Sequence, residues 1–343
     1  MIEASWQFIV FIIGVALFFD YTNGFHDSAN SISTVVSTKV LSPRNAVAFA
    51  AFFNFIAAFI VGVAVASTIS KIIQLEIVPT EVVPYIIFAA LIGAISWNLI
   101  TWRFGLPTSS SHALIGGLMG AGISAAGIAA IKWSTIELVV TFMILSPLIG
   151  LACGFMFMAL VLNLTKKSQK SSAESHFKRL QLFSAAAYSF SHGTNDAQKT
   201  MGIITPLLFS IGYYSASVDP NNLPVPTWVI LISYAAISLG TLSGGWRIVK
   251  TMGYKITRLR PVHGFAAETA GAVTILGASA AGIPVSTTHI ISTSIMGVGT
   301  TMGASTVKWG VARTIAIAWI LTIPIGAFIG YVAFAIIRVI IGY

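Results

Sequence analysis

Long apolar segments separated by short polar connections run through the whole chain. Several of these segments hold about 20 largely apolar residues, the length that an α-helix needs to cross the hydrocarbon core of a bilayer. They are 4–22, 44–66, 84–102, 136–162, 227–246 and 310–341. No interval between them is long enough for a large soluble domain. The pattern predicts an all-α polytopic membrane protein of the plasma or inner membrane.

The first apolar segment has to be distinguished from a secretory signal. It lacks a basic region before the apolar stretch and carries Glu3 at its start. It then runs into Asp20 and Asp27 without a clear small-residue cleavage site. We therefore interpret it as the first membrane span.

Two polar motifs each occur twice along the chain, in the same order. NGFHDSANSI at 23–32 resembles HGTNDAQKTM at 192–201, and GLPTSSSH at 105–112 resembles GIPVSTTH at 282–289. Motifs that recur at nearly the same spacing indicate two homologous halves. We predict a first repeat over 1–164, a polar linker over 165–176 and a second repeat over 177–343.

Each Gly-x-Pro string is predicted to break a helix inside an apolar region. If the break at 105–111 is the tip of a re-entrant helical hairpin with arms at about 84–104 and 108–131, each half has three crossings plus one hairpin. An odd number of crossings predicts two inverted-topology repeats. The 19 lysines and arginines support this topology, because most of them then fall on one side, which the positive-inside rule makes cytoplasmic. Both termini would lie outside and the linker 165–176 in the cytoplasm.

Composition agrees with a membrane protein and excludes other classes. Only 8% of the residues are charged, against about 25% in an average soluble domain. The formal net charge of +9 would suggest nucleic acid in a soluble protein, but the basic residues lie mostly in short connections, so we expect no nucleic-acid partner. The single cysteine, Cys153, excludes a disulfide framework or a cysteine metal site within one chain.

The paired helix breaks predict an anion site. Irregular backbone at membrane depth needs protein or a water-filled cavity to satisfy its polar groups, and paired broken helices point to a central substrate site. Each second arm begins among hydroxyl residues, so its free N–H groups and the positive end of its dipole suit an anion. The predicted neutral cradle for a small oxyanion consists of Thr108, Ser109, Ser110, Ser111, Ser286, Thr287 and Thr288. Helix capping alone is the alternative role for these side chains.

The other motif pair predicts a cation site. Asp27 and Asp196 are carboxylates in apolar surroundings, where a charge at the bilayer centre costs at least about 2.5 kcal/mol. Nearby amide oxygens suit a small cation such as Na⁺, and Gly24 and Gly193 permit helix unwinding that would free backbone carbonyls for the same ion. The predicted Na⁺ ligands are Asn23, Asp27, Asn30, Asn195 and Asp196. A protonatable aspartate would instead suit H⁺ coupling, and a purely structural role is the third alternative.

These motifs together resemble those of the inorganic phosphate transporter (PiT) family of sodium- or proton-coupled phosphate carriers. GFHDSAN and GTNDAQK resemble its G-x-N-D-x-A-N signature, LPTSSSH and IPVSTTH resemble its hairpin motif, and PVHGFAAETAGA places Glu268 at a family acidic position. The resemblance covers nearly the whole chain, and the short linker resembles that of prokaryotic members. It implies a homodimer that carries phosphate by alternating access, with phosphate at the hairpin tips, Na⁺ near the aspartates and no further cofactor.

The chain departs from the family signature at several positions. His26 replaces the usual Asn before the first Asp, Gln198 and Lys199 stand where Ala and Asn are usual, and Asn54 stands where some members have Glu. These departures leave the coupling ion and the number of cation sites open. Lys199 and Arg103 either compensate charge in the site or extend toward the membrane surface.

Import of phosphate with Na⁺ is the leading hypothesis. H⁺-coupled symport of phosphate or metal–phosphate is the alternative, and a sulfate permease or a passive anion channel is less favoured. His112 and His289 are supporting residues that orient the loops or contact the substrate. A serine hydrolase built from Ser109, His112 and Asp27 lacks a G-x-S-x-G elbow, and we predict no enzyme.

Overall fold

The computed structural model describes residues 5–60, 62–166, 170–215 and 217–343. Within these ranges the chain forms twelve α-helices and no β-strand. Four helical segments are long and apolar enough to cross a membrane, and up to six if each of two bent pairs is one span. The predicted all-helical membrane architecture is confirmed. The helices are α1 (Trp6–Ser37), α2 (Pro43–Ile56), α3 (Ala64–Ser70), α4 (Val83–Phe104), α5 (Ser110–Ala126), α6 (Trp133–Thr165), α7 (Lys170–Ser210), α8 (Thr227–Ser243), α9 (Trp246–Lys250), α10 (Pro261–Ala280), α11 (Thr287–Thr300) and α12 (Trp309–Ile341).

The same series of helices occurs in each half of the chain. A long helix (α1 or α7) is followed by a broken pair (α2 and α3, or α8 and α9), two arms joined at a Gly-x-Pro break (α4 and α5, or α10 and α11) and a second long helix (α6 or α12). α7 already begins inside the linker predicted over 165–176, of which 167–169 lie outside the described residues. The inverted relation of the halves and their boundaries stay predictions.

The two Gly-x-Pro breaks are built alike. Gly105 ends α4 in the left-handed region, with φ of 67°, and Ser109 caps the start of α5. In the second half Gly282 takes φ of 68°, and Ser286 caps α11. We call α4, α5 and the residues between them hairpin one, and α10, α11 and the residues between them hairpin two. α5 ends before the predicted position 131, because Gly127 leaves the helical region with φ of 76°.

Each hairpin is covered by the last helix of the other half. α5 packs against α12, and α11 packs against α6. Glycines let these helices touch backbone to backbone, since Gly120 faces the backbone of Ala327 and Gly297 faces that of Leu151. The first helix of each half also packs against the other half: α1 lies on α8, and α7 lies on α2. The halves are therefore interlocked, and the interior that they enclose draws on both.

We expect Gly120→Ala to destabilise the protein by about 1–3 kcal/mol, because the added methyl group would overlap the carbonyl of Ala327 and force α5 away from α12. Thermal unfolding of the purified protein in detergent measures this as a lowered Tm. Gly14→Ala is the matched control, since Gly14 is exposed on α1 and its added methyl group meets no described atom within 4 Å. Equal Tm values for the two variants would contradict the close packing of α5 on α12.

Candidate functional site

Both aspartates of the repeated motif lie in the interior, against the tip of hairpin two. Asp27 on α1 is 3% exposed and Asp196 on α7 is 0% exposed. The hydroxyl of Thr288 donates to Oδ1 of Asp27 at 3.4 Å, and the hydroxyl of Thr287 donates to Oδ2 of Asp196 at 3.3 Å. The hydroxyl motif and the aspartate motif therefore meet at the first turn of α11.

Asn30 fixes α1 to the same turn. Its Nδ2 donates to the hydroxyl oxygens of Thr288 at 2.9 Å and Thr287 at 3.3 Å. Its Oδ1 accepts no hydrogen bond within the described part of the chain. A buried amide oxygen that lacks a donor is suited to a hard cation, which is the role that the sequence predicts for it.

Hairpin one reaches Asp27 through His26. The hydroxyl of Thr108 donates to that of Thr101 at 2.9 Å and lies 3.4 Å from Nε2 of His26. Nδ1 of the same imidazole lies 2.7 Å from Oδ1 of Asp27. The residue that departs from the family signature thus links the tip of hairpin one to the first aspartate.

The starts of α5 and α11 lie close together. His112 and His289, each in the first turn of its helix, have ring centroids 4.9 Å apart. Ser109 and Ser286 accept hydrogen bonds from the backbone N–H groups of these histidines at 3.3 and 3.2 Å, so capping is a real part of their role. Their hydroxyl hydrogens stay available to an anion. The positive ends of two helix dipoles are thus brought to one region.

Further donors of the predicted cradle are buried beside these caps. The hydroxyl of Ser110 has no hydrogen-bond partner among the described residues, and Ser111 is 3% exposed. From the other side, Trp319 of α12 donates to the carbonyl of Pro107 at 2.8 Å. The Trp319 ring also lies 3.9 Å from that of His289. One indole therefore positions both tips, which supports an orienting role for His289.

Asp196 carries its own counter-charge. Lys199, one turn later on α7, is 0% exposed and pairs with Oδ1 of Asp196, while Nε2 of His192 lies 3.2 Å from Oδ2. The interpretation that Lys199 extends toward the membrane surface is wrong, because a carboxylate buried beside it provides the partner that it would otherwise seek in water. Arg103, in contrast, is exposed at the end of α4.

His192 belongs to the site and was not singled out from the sequence. One ligand atom each from Asp27, His192 and Asp196 lie within 4.8 Å of one another, a group that could hold a metal ion. The other imidazole nitrogen of His192 lies 3.2 Å from Oδ1 of Asn54, so Asn54 orients the ring from α2. The i, i+4 spacing of His192 and Asp196 on one helix was the available signal.

Comparison with known proteins assigns the chain to a family. The sequence profile of the phosphate transporter family matches residues 23–330. The chain belongs to this family. It is 50% identical to a "Probable low-affinity inorganic phosphate transporter" of Rhizobium meliloti over 95% of either chain, and 45% identical to the Bacillus subtilis protein of the same description over 96% of this chain and 97% of the relative.

A solved structure also resembles the transporter. It is described as "The sodium-dependent phosphate transporter", is 27% identical, and superposes with a TM-score of 0.87 over 97% of this chain and 100% of its own. The family and these relatives are transporters and not enzymes. The resemblance read from the four motifs is confirmed.

Some predicted site residues of the transporter have other contacts. Asn195 donates through Nδ2 to Ser279 at 2.9 Å, although its Oδ1 accepts nothing from the described residues. Gln198 accepts from the first backbone N–H groups of α3, which gives that departure from the signature a capping role. Glu268 accepts from Gln181 at 3.0 Å and from Ser184, and so belongs to a separate polar cluster between α7 and α10.

The expectation that Gly24 and Gly193 permit helix unwinding is wrong. α1 and α7 continue as helices through both positions. A side chain at Gly24 would collide with the backbone of Ile237 on α8, and one at Gly193 with the backbone of Asn54 on α2. These glycines serve the close crossing of helices from opposite halves, so the backbone carbonyls beside them stay within the helical hydrogen bonds.

We expect Lys199→Met to destabilise the transporter by about 3–5 kcal/mol, because it leaves Asp196 buried without its cation. Adding Asp196→Asn to that variant removes the uncompensated charge and should restore most of the lost Tm. Lys250→Met on α9 is the control for the loss of an exposed lysine. A Lys199→Met protein as stable as the wild type would show that the pair does not govern the stability of the centre.

Proposed function

We propose that this phosphate transporter imports inorganic phosphate together with Na⁺ by alternating access. The observation that carries the proposal is the meeting of two capped helix starts and two aspartates in one buried centre. Phosphate would lie against the neutral donors of both hairpin tips, and the cation beside the aspartates. Release is favoured because the anion's direct ligands are hydroxyl and N–H groups rather than a cage of arginines and lysines.

The fixed charges of the centre support the co-transport of a cation with phosphate. Asp27 and Asp196 are both buried carboxylates, and Lys199 compensates only the second. A phosphate anion that enters beside Asp27 is repelled in a medium of low dielectric constant unless a cation or a proton neutralises this carboxylate. Cation and anion therefore raise each other's affinity, which is the thermodynamic requirement for symport.

Na⁺ is the proposed cation for two reasons. The Oδ1 atoms of Asn30 and Asn195 accept no hydrogen bond from the residues that the structure describes, and oxygen ligands of this kind suit a hard cation. The solved relative is described as sodium-dependent. Asp27, the motif aspartate that has no lysine beside it, is then the anchor of the ion, and Asn23 and Asn30 are its candidate partners on α1.

H⁺ is the second candidate, favoured by the contact between His26 and Asp27. A proton shared by this pair, whose atoms lie 2.7 Å apart, would neutralise the carboxylate without a metal ion. The group of Asp27, His192 and Asp196 is in addition suited to a divalent metal that enters as a metal–phosphate complex. Both alternatives keep the same fold and the same anion cradle.

The orientation and the assembly are also proposals. The distribution of basic residues supports both termini outside and a cytoplasmic connection between α6 and α7. The repeated order of helices supports an inverted pair of halves that rock about the centre. The homodimer rests on the resemblance to the family.

We expect Asp27→Asn to abolish gradient-driven uptake of labelled phosphate into proteoliposomes while the protein stays monodisperse. The wild type is compared under an inward Na⁺ gradient, an inward H⁺ gradient and neither, with Asp219→Asn in an exposed loop as the matched control. Uptake by the wild type should follow the Na⁺ gradient. Uptake that follows only the H⁺ gradient would assign coupling to the His26–Asp27 pair, and wild-type kinetics in Asp27→Asn would refute a coupling role for this residue.

We expect the double variant Ser110→Ala/Thr287→Ala to raise the KM for phosphate at least about tenfold. The Ser110 hydroxyl has no partner among the described residues and the Thr287 hydroxyl would turn from Asp196 to the anion, so two donors to a charged acceptor are lost. Ser210→Ala/Thr274→Ala is the control, since these hydroxyls donate to carbonyls of their own helices. Initial rates of uptake at varied phosphate concentration give the KM. An unchanged KM in the first variant would move the anion site away from the hairpin tips.

A further inference from the structure

Asp20 is a third buried carboxylate near the centre, and neither the motifs nor the proposed mechanism use it. It lies on α1 two turns before Asp27 and is 0% exposed. Neither carboxylate oxygen makes a hydrogen bond of normal length and angle with a described residue, although Thr200 and Asn23 adjoin it. No lysine, arginine or histidine nitrogen of the described residues lies within 4.0 Å of it. Burying a carboxylate without a partner costs free energy of folding, so we expect the interior to supply one.

The polar side chains near Asp20 are also buried and lack hydrogen bonds of normal geometry. Thr200 of α7 and Asn23 of α1 adjoin its carboxylate, and the phenol of Tyr234 on α8 lies close enough to sense its charge. All three side chains are at most 1% exposed. The hydroxyls of Thr200 and Tyr234 and both amide atoms of Asn23 make no hydrogen bond of normal length and angle across the described ranges. Polar groups of α1 and α7 thus adjoin one buried carboxylate, and the phenol of α8 lies within range of its charge.

Lys199 directly precedes Thr200 in the chain, but its ammonium group does not pair with Asp20. It is committed to Asp196, and it acts on Asp20 only through its longer-range field. A cation among these oxygens would satisfy the carboxylate, the amide and the hydroxyls at once. One carboxylate with otherwise neutral oxygens balances a single positive charge, which favours a monovalent ion over a divalent one.

We propose that Asp20, Asn23, Thr200 and Tyr234 form a separate binding site for a hard monovalent cation, with Na⁺ as the ion. The site deepens the proposed Na⁺-coupled function and rests on it for its role in transport. It gives Asn23 a place on α1 between the two carboxylates, one turn after Asp20 and one turn before Asp27. Because Thr200 follows Lys199 on α7, an ion at this site adds positive charge next to the phosphate centre and supports anion binding there.

Equilibrium binding of ²²Na⁺ to the purified transporter without phosphate tests the site. The Asp27→Asn variant removes the anchor of the first ion and should retain Na⁺ binding, whereas Asp20→Asn/Asp27→Asn should lose it. Thr200→Val in the Asp27→Asn background keeps the carboxylate but removes one oxygen, and should raise the Kd for Na⁺ about tenfold or more, the effect of about 1.4 kcal/mol. Asp219→Asn in the same background is the control for an aspartate outside the interior.

The outcomes separate this site from the proposed function. Na⁺ binding that disappears with Asp20→Asn supports the site even if proteoliposome uptake follows only an H⁺ gradient, in which case the Na⁺-coupled function fails and the site stands. Na⁺ binding in Asp27→Asn that is unchanged by Asp20→Asn and by Thr200→Val overturns the site. Absence of Na⁺ binding in Asp27→Asn also overturns it, and then assigns the Asp20 cluster to a protonated carboxyl group. If Asp20→Asn fails to fold, Thr200→Val and Tyr234→Phe decide the question.

Discussion

Neutralising buried carboxylates is the constraint on which the centre of this transporter depends. Asp196 is compensated within the chain by Lys199, and His192 of the same helix lies beside it. Asp27 has an imidazole and a threonine hydroxyl but no permanent cation. The repeated motif thus evolved two different solutions, since the position of Asn30 in the first copy is held by Lys199 in the second. One aspartate is paired within the structure, and the other is the one to which we assign the exchangeable ion.

The packing of the two halves against each other brings the residues of the centre together. Hairpin two supplies the threonines that contact both aspartates, while the aspartates themselves come from α1 and α7. Close helix crossings at glycines bring the long helices of each half against the broken pair of the other. A Cβ atom at these crossings would collide with the facing backbone and hold the helices further apart, and with them the side chains of the centre.

The sequence predicted the helical spans, the two breaks and the two motif pairs, because each leaves a local signal: apolar length, Gly-x-Pro, or an acidic residue among apolar ones. What it did not predict depends on helix faces brought together from distant parts of the chain. The spacing of Lys199 and Asp196 allows them to pair on one helix. That the pair is buried could not be predicted without knowing that this part of α7 lies in the interior. Continuous helix at Gly24 depends on the backbone of Ile237, far away in sequence. Asp20 lies close to the first motif, but its unpartnered neighbours come from α7 and α8.

The contact between Trp319 and Pro107 reaches across the two halves of the polypeptide. It joins the tip of a first-half hairpin to the last helix of the second half, so a displacement of the tip that keeps this hydrogen bond also displaces α12. In the proposed mechanism, a moving body would then be composed of pieces from both ends of the sequence. Severing the connection between α6 and α7 would give two fragments, each with an uncovered hairpin and half a cradle. The proposed substrate cradle therefore requires both halves.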